Sequence, residues 1–427
     1  MNVLVIGAGG REHAICLKFL NSSKVRVVYC VPGNGGISRN VECVNIPITD
    51  FKSIVTFVKE KKVDLTFVGQ EVPLSLGIVD YFHMHNLKII GPSKKATLLE
   101  SSKIYSKNFM TKYGIPTANY KCFTNITDAI NFLENYPKNK KIVIKADGLA
   151  AGKGVYICSN SHDGVRIVKK MMYEHSLGDA GNKLIIEEYI YGREFSYLLF
   201  IDGKSYALMP IAKDYKKLND NDQGLNTGGM GSFAPIPNTV LPDDLNKKII
   251  QLIVNKTVNG IIKENLNYKG VLYIGVIVSY DSNQPYVLEF NCRLGDPETQ
   301  VILPLLNTDL LDISNAIING TLAQLYIEWK KQYATCVVLA SEGYPNESII
   351  NIEITGLKDI DVENYKDVFI FHSGTKYINN RFITAGGRVL GITSLDDNLQ
   401  SATAKTYNIL NAIYFQGMHY RKDIGKI

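Results

Sequence analysis

None of the seven cysteines stands in a C-x-x-C pair, and the histidines, also seven, show no metal-ligand spacing. Cys16, Cys30, Cys43, Cys122, Cys158, Cys292 and Cys336 are an odd, scattered set. Such a set reads as reduced thiols in a cytoplasmic protein, not as a disulfide framework. His83 and His85 are two apart in a helical stretch and point to different faces, so a structural zinc site is not expected. Long apolar runs are missing too: nothing approaches the ~20 residues a bilayer span requires. The opening MNVLVIGAGGREH has no basic leader ahead of its short apolar run, which argues against a signal peptide. Charge of one sign is not massed, because the formal +6 is spread along the chain. No nucleic-acid partner and no membrane are expected on these grounds. Repeats and low-complexity linkers are absent. What remains is ordinary globular material, 427 residues with 45% hydrophobic and 21% charged. That length points to roughly two to four domains.

The first hundred residues alternate strand and helix. Apolar runs at 3–6, 25–31, 41–46, 65–68 and 88–90 are separated by helical stretches, one of them capped by Asp50 and running to about 61. This rhythm predicts an open, mostly parallel sheet with helices on both faces. Ligands on such sheets gather at the carboxyl ends of the strands, where the glycine turns 7–10 and 33–36 fall. A helix over about 94–113 then leads into a small αβ unit with strands at 142–145, 155–158 and 184–189. A larger section to about 328 carries strands at 195–201, 273–280 and 286–290. The last hundred residues read as a mixed α/β cap, with strands at 335–340, 369–373 and 384–391 and a helix near 395–415.

Four constellations carry chemistry. Lys145-Ala146-Asp147-Gly148 through Gly152-Lys153-Gly154 invites a P-loop reading that fails. Gly148 and Gly152 have three residues between them, not four, and glycine follows the lysine where Ser or Thr would hold magnesium. A glycine hairpin flap whose N–H groups close over a triphosphate fits better, with Lys145 set against phosphate oxygens. In 184–194, a strand emerges with Glu187 and Glu188 and then kinks, as an adenine hinge would. In 287–293, period-2 alternation puts Glu289, Asn291 and Arg293 on one face, with Phe290 and Cys292 toward the core. Carboxylate and amide oxygens two apart on a rigid strand form a hard site suited to Mg²⁺ on nucleotide phosphates. Asp296 continues this into a polar turn that could grip a small zwitterion. Finally, four glycines in 224–231 imply backbone close to a ligand. The preceding Lys213-Asp214-Tyr215-Lys216-Lys217 supplies charge.

In this order the segments resemble the ATP-grasp family, and within it the phosphoribosylamine–glycine ligases of purine biosynthesis. The matching motifs are GGREHA (9–14), PGNGG (32–36), IKADGLAAGKGV (144–155), GLNTGGMG (224–231), EFNCRLGDPETQ (289–300), FHSGTK (371–376), GGRVL (386–390) and RKDIG (421–425). They are collinear from end to end. The resemblance implies an α/β chain with an ATP-grasp fold. It would comprise an N-terminal open parallel (pre-ATP-grasp) domain over 1–102, which binds phosphoribosylamine. A small lobe with the flap (103–191), a large lobe with the metal site (192–328) and a C-terminal mixed α/β cap (329–427) would follow. It further implies that Lys103, Lys145 and the flap residues Gly152, Lys153 and Gly154 contact ATP. Glu187, Glu188 and the Ile190 backbone would lie at adenine, and Glu194 at ribose. Glu289 and Asn291 would bind Mg²⁺ (or Mn²⁺), and Arg293 and Asp296 glycine. Gly9, Gly10, Arg11 and Glu12, with Lys376 and Arg388, would embrace the phosphoribosylamine. Lys145, Arg293 and Asp214 would be catalytic. The implied activity ligates glycine to 5-phosphoribosylamine through glycyl phosphate, in a monomer. Another ATP-grasp carboxylate–amine ligase is the alternative.

Three segments depart from the family pattern. Lys213-Asp214-Tyr215-Lys216-Lys217 stands where Q-D-H-K-R is usual, and Gly69-Gln70-Glu71 where G-P-E is. Strand 275–278 lacks the additional acidic metal ligand of many ATP-grasp enzymes. A nicotinamide oxidoreductase is the rival reading of Gly7-x-Gly9-Gly10, but G-x-G-x-x-G needs glycine where Glu12 stands. A catalytically silent nucleotide-binding subunit fits poorly with the retained Lys145, Glu289 and Asn291.

Overall fold

A computed structural model of the protein describes residues 1–150, 153–357 and 367–427. The first unit alternates β1 (Asn2–Gly7), α1 (Gly10–Leu20), β2 (Val27–Pro32), β3 (Glu42–Cys43), α2 (Phe51–Glu60), β4 (Leu65–Val68), α3 (Glu71–Leu76), α4 (Ile78–Met84) and β5 (Ile89–Ile90). Its strands are parallel in the order β3-β2-β1-β4-β5. Val3, Leu4, Val5 and Ile6 are sealed from solvent, as a strand covered on both faces requires. Asp50 caps α2 as anticipated, accepting from the Ser53 N–H at 3.1 Å. The third strand is shorter than the apolar run 41–46. Beyond it the Ile46 N–H turns back to the Val44 carbonyl at 2.8 Å, a tight bend that takes the chain off the sheet.

The stretch expected as one helix over 94–113 is two, α5 (Leu98–Ser101) and α6 (Lys103–Lys112). Ser102 is extended between them, and its hydroxyl oxygen caps the Tyr105 N–H at 3.1 Å. Asp147 Oδ1 accepts from the Ser102 hydroxyl at 2.9 Å and the Ile104 N–H at 2.8 Å, which fixes the break. β6 (Tyr120–Phe123), α7 (Ile126–Glu134), β7 (Ile142–Ala146), β8 (Val155–Cys158), α8 (Ser161–Val168) and β9 (Leu184–Glu188) build the small lobe. Its antiparallel sheet has the order β6-β9-β7-β8. Lys145 stands opposite Val155 in the antiparallel pair β7 and β8, so the strand is followed by a second strand and not by the helix of a phosphate loop. Gly152 lies outside the described residues.

The larger section contains β10 (Gly192–Asp202), β11 (Tyr206–Leu208), β12 (Lys213–Asp214), β13 (Lys217–Asn219), β14 (Gln223–Asn226) and β15 (Gly231–Ala234). It continues with α9 (Asp243–Ile249), α10 (Asn255–Lys263), β16 (Lys269–Ser279), β17 (Pro285–Asn291), α11 (Thr299–Leu305) and α12 (Leu310–Asn319). One sheet runs β11-β10-β16-β17, and the outer edge of β17 is met by 116–117 of the small lobe. The Val287 N–H donates there to the Pro116 carbonyl at 2.8 Å.

The cap holds β18 (Tyr333–Ala340), β19 (Glu353–Ile354), β20 (Val368–His372), β21 (Thr375–Ile378), β22 (Arg381–Thr384), β23 (Arg388–Asp396) and α13 (Leu399–Leu410). Its main sheet has the order β12-β15-β18-β23-β20, so two strands from within 192–328 are completed by the cap. The expected strand 384–391 is split, because β22 and β23 belong to different sheets. Gly386 makes the turn between them against Gly374, where a side chain at 374 would overlap its backbone. Among the described residues no helix is long and apolar enough to cross a membrane.

Candidate active site

The strand order reverses between β1 and β4, and the crevice at their carboxyl ends is the natural ligand position on such a sheet. Gly7–Gly10 and Gly69–Glu71 border it. Glu12 is completely buried and fills its floor: Oε2 accepts from the Gly9 N–H at 2.6 Å and Oε1 from Arg11 Nε at 2.6 Å. A side chain at Gly7 or Gly69 would overlap this carboxylate. Glu12, expected at phosphoribosylamine, therefore secures the turn and presents no oxygen to the cleft. A buried anion at this position also disfavours a dinucleotide pyrophosphate. Arg11 reaches across to the large lobe, donating through Nη1 to the Leu294 carbonyl at 3.1 Å.

β17 delivers the alternation read from the sequence. Phe290 and Cys292 are sealed in the core, while Glu289, Asn291 and Arg293 lie on the other face. Glu289 Oε2 is 3.2 Å from Lys103 Nζ, which the Ser102 break sets in the first turn of α6. Burial opposes charge on Glu289, but Lys103, Lys216 and Lys145 outweigh it and hold the carboxyl well below the usual range. Arg293 donates through Nη1 to the Leu294 carbonyl at 3.1 Å and through Nη2 to Asn291 Oδ1 at 3.4 Å. Its Nε lies 3.3 Å from Glu71 Oε2, and Nη2 is 3.4 Å from Glu100 Oε1. Glu71 Oε2 is also 4.0 Å from Arg11 Nη2. Burial resists ionisation of Glu71, yet the two guanidinium groups hold it at about 2. The two arginines assigned to separate substrates are thus joined through one carboxylate and one carbonyl.

In the small lobe, Lys145 Nζ is 3.0 Å from Glu187 Oε2 and donates to the Leu288 carbonyl at 3.0 Å. Glu187, expected at adenine, has its carboxylate sealed beneath Lys145 and Lys107. Glu188 Oε1 accepts from the Asn119 N–H at 3.0 Å. The chain leaves the sheet after Glu188, and among the described residues no backbone carbonyl takes the Ile190 N–H. Lys153 is exposed at the hairpin, and Gly154 packs where a side chain would crowd Ala150.

The glycine-rich loop 224–231 is held from both sides. Arg388 Nη1 donates to the Gly228 carbonyl at 2.6 Å and the Asp296 carbonyl at 2.7 Å, while Nη2 pairs with Asp296 Oδ2 at 3.2 Å. Gln300 Nε2 donates to Asp296 Oδ1 at 2.7 Å. Gly229 has φ +110°, and a side chain there would meet Pro297 and Asp214. Asp214 Oδ1 has no hydrogen-bond partner among the described residues. Burial and the nearby Glu298 push this carboxyl well above its usual range. Lys216 pairs with Glu194 Oε2 at 3.2 Å. Burial disfavours its charge, but Glu194, Tyr273, Glu289 and Asp214 keep it protonated. Lys213 and Tyr215 go elsewhere: Lys213 Nζ lies 4.9 Å from the Tyr215 ring centroid, and Arg421 of the C-terminal segment 4.8 Å from the same ring. Lys376 is exposed on β21, beside the 32–36 turn, whose Gly35 N–H donates to the Thr375 carbonyl at 2.9 Å.

Residues 1–100 match the phosphoribosylglycinamide synthetase N domain, 101–299 its ATP-grasp (A) domain and 334–427 its C domain. The chain belongs to the phosphoribosylglycinamide synthetase family. A phosphoribosylamine–glycine ligase of Caldanaerobacter subterraneus is 44% identical over 430 residues, 99% of each chain. One of Halalkalibacterium halodurans is 42% identical over 425 residues, covering all of this chain and 96% of its own. The crystal structure of phosphoribosylamine–glycine ligase from Thermotoga maritima superimposes with a TM-score of 0.85 at 31% identity, covering 99% of this chain and 100% of that one. The biotin carboxylase domain of 2-oxoglutarate carboxylase from Hydrogenobacter thermophilus shares the fold, with a TM-score of 0.70 at 16% identity over 98% of this chain and 91% of its own. In the terms of the synthetase family, the N domain brings Arg11, the ATP-grasp domain Lys145 and β17, and the C domain Arg388. The charged groups at this junction that were not assigned from sequence include Glu71, Glu100 and Lys107. Glu71 opens α3, three residues past the carboxyl end of β4, and Lys107 lies four residues beyond Lys103 on one helix face.

Proposed function

We propose that the protein ligates glycine to 5-phosphoribosylamine, forming glycinamide ribonucleotide, ADP and phosphate in purine biosynthesis. What carries this reading is the convergence on β17 of Glu289, Asn291 and Arg293 with Lys103 and Lys145, in a chain that matches the family from end to end. A glycine carboxylate oxygen attacks the γ-phosphorus of ATP, the bond to the β-phosphate oxygen breaks, and ADP leaves. The amine then attacks the acyl carbon of glycyl phosphate, the carbon–oxygen bond breaks, phosphate departs, and the nitrogen loses a proton.

Lys103, Lys145 and the flap at Gly152, Lys153 and Gly154 hold the triphosphate. The backbone at Ile190 holds adenine, with Glu187 serving as counter-ion to Lys145, and Glu194 reaches the ribose. Arg293 and Asp296 seat glycine, and Asp214 lies behind the glycine loop that faces it. Gly9, Gly10, Arg11, Lys376 and Arg388 surround phosphoribosylamine. Glu289 and Asn291 suit a hard divalent cation: Glu289 is held ionised, and among the described residues Asn291 Oδ1 accepts one long hydrogen bond, at 3.4 Å. When bound, Mg²⁺ or Mn²⁺ would neutralise charge on the transferred phosphoryl group. The protein's own contribution is alignment of the groups and exclusion of water from the acyl phosphate. The working units are 1–102, 103–191, 192–328 and 329–427, in a cytoplasmic monomer whose thiols are all free.

ADP release from ATP in the purified protein tests this. Turnover should require glycine and phosphoribosylamine together, and equal ADP release with either omitted would defeat the reading.

A further inference from the structure

The small lobe contains a charge cluster that the ligation chemistry leaves unexplained. Glu187 sits between two ammonium groups, with Lys107 Nζ 3.1 Å from Oε1 and Lys145 Nζ 3.0 Å from Oε2. The carboxylate comes from β9, Lys107 from α6 and Lys145 from β7. The side chains of Lys107, Glu187 and Lys145 are 2%, 3% and 7% exposed. One carboxylate balances one ammonium, so the cluster keeps an excess positive charge out of water, an expensive arrangement.

The two lysines differ in what else they hold. Lys107 also donates to Thr117 Oγ1 at 2.6 Å and to the Ala118 carbonyl at 3.4 Å, so with its ion pair to Glu187 it is held on three sides. Among the described residues Lys145 donates one hydrogen bond, to the Leu288 carbonyl, beside its ion pair with Glu187. Thr117 Oγ1 donates onward to the Val287 carbonyl at 3.1 Å. The cluster therefore grips consecutive carbonyls of β17, Val287 through Thr117 and Leu288 directly, one residue before Glu289.

We propose that Lys107 is a positioning residue for the nucleotide: by pairing with one oxygen of Glu187 and tying Thr117 to β17, it restricts Lys145 to the other oxygen and leaves the Lys145 ammonium a donor for a phosphate oxygen. This rests on the ATP-binding reading of the site. Without Lys107, both oxygens of Glu187 turn to Lys145, the ammonium is drawn onto the carboxylate, and its hold on phosphate weakens. Loss of the Lys107 proton has the same effect. Burial lowers this ammonium to about 8, against the opposing pull of Glu187 and with Lys145 adding to the lowering. The other groups that face it are Cys122 and the Tyr120 ring, 5.0 Å away, both on β6. Nucleotide affinity should fall as pH rises through about 8.

Calorimetric titration of the full chain with ADP, without metal, from pH 7 to 9 reads this directly. Wild type should lose affinity about tenfold over that range, and Lys107→Met should be about tenfold weaker at pH 7 and flat above it. A folded Lys107→Met protein that binds ADP within about twofold of wild type, or a flat wild-type profile, overturns the proposal. Should Lys107→Met not fold, Thr117→Val decides. Loss of the hydroxyl acceptor destabilises the ammonium, so the alkaline midpoint must move down, and an unmoved midpoint overturns the proposal. Absence of ADP binding by wild type at any pH would sink the ATP reading itself, a distinguishable result.

Discussion

Acid should open the seam between the first unit and the cap. His13 on α1 and His372 on β20 are 3% and 8% exposed, and the His372 N–H donates to His13 Nδ1 at 2.9 Å. With Nδ1 accepting, the ring proton of His13 is on Nε2, 3.0 Å from Asn40 Oδ1. A second proton has only Nδ1 to go to, and would break the seam bond. Burial accordingly lowers His13 to about 4, although the Asn40 bond pulls the other way, and burial with the neighbouring His13 lowers His372 to about 3. In the opened chain both return to about 6.5. Below that pH the open form takes up protons that the closed form refuses, so stability falls with pH, by about 1.4 kcal/mol per unit per imidazole. At pH 5 each imidazole has withdrawn about 2 kcal/mol, and the pair about 4 kcal/mol. The loss continues to about pH 4 for His13 and levels off below. Hydrogen exchange of the β20 amides reads the opening free energy locally. His13→Gln should recover about 2 kcal/mol of the fall between pH 7 and 5, because carboxylates common to both proteins cancel. If the two proteins fall in parallel to within about 0.5 kcal/mol, the buried neutral pair is not what the seam senses.

Three further outcomes are expected. Glu187→Ala strands two buried ammonium groups and should cost the small lobe about 3–5 kcal/mol, read as a lower unfolding temperature. Glu289→Ala should leave the circular dichroism spectrum unchanged while ADP release at limiting Mg²⁺ drops on the order of a hundredfold or more. Normal turnover would refute the metal assignment. Gly229→Ala places a side chain at φ +110° against Pro297 and Asp214, and should reduce activity and cost about 1–3 kcal/mol of stability. An unaffected Gly229→Ala enzyme would mean that the glycine loop is not fixed as described.

Local pattern was legible where it reports a face. The alternation of 287–293 placed Phe290 and Cys292 inward and the polar trio outward, and the glycine turns marked the carboxyl ends of β1 and β2. Local propensity misjudged extents where a distant partner intervenes. Residues 94–113 have helical composition throughout, and only Asp147, some forty positions later, stabilises the break at Ser102 that presents Lys103. Likewise Glu12 and Glu71 look alike as acidic residues after a glycine turn, yet one is sealed beneath Gly9 and the other joins two arginines. Pairing of 231–234 with a strand a hundred residues later has no local signature. The resemblance places Glu187 at adenine, and nothing near it in sequence announces the Lys107 ammonium 3.1 Å from its carboxylate.

That strand exchange bears on how the molecule can be taken apart. β15 lies between β12 and β18, with Gly231 opposite Val337 and Ala234 opposite Ala334. A truncation after residue 328 would be tidy on paper, yet it would strip β15 of its neighbour and leave a sticky apolar edge, with the loop behind it unanchored. The parts interlock like a dovetail joint. Anyone hoping to transplant the nucleotide-handling half into another enzyme must carry the last hundred residues along, or supply a substitute strand in their place.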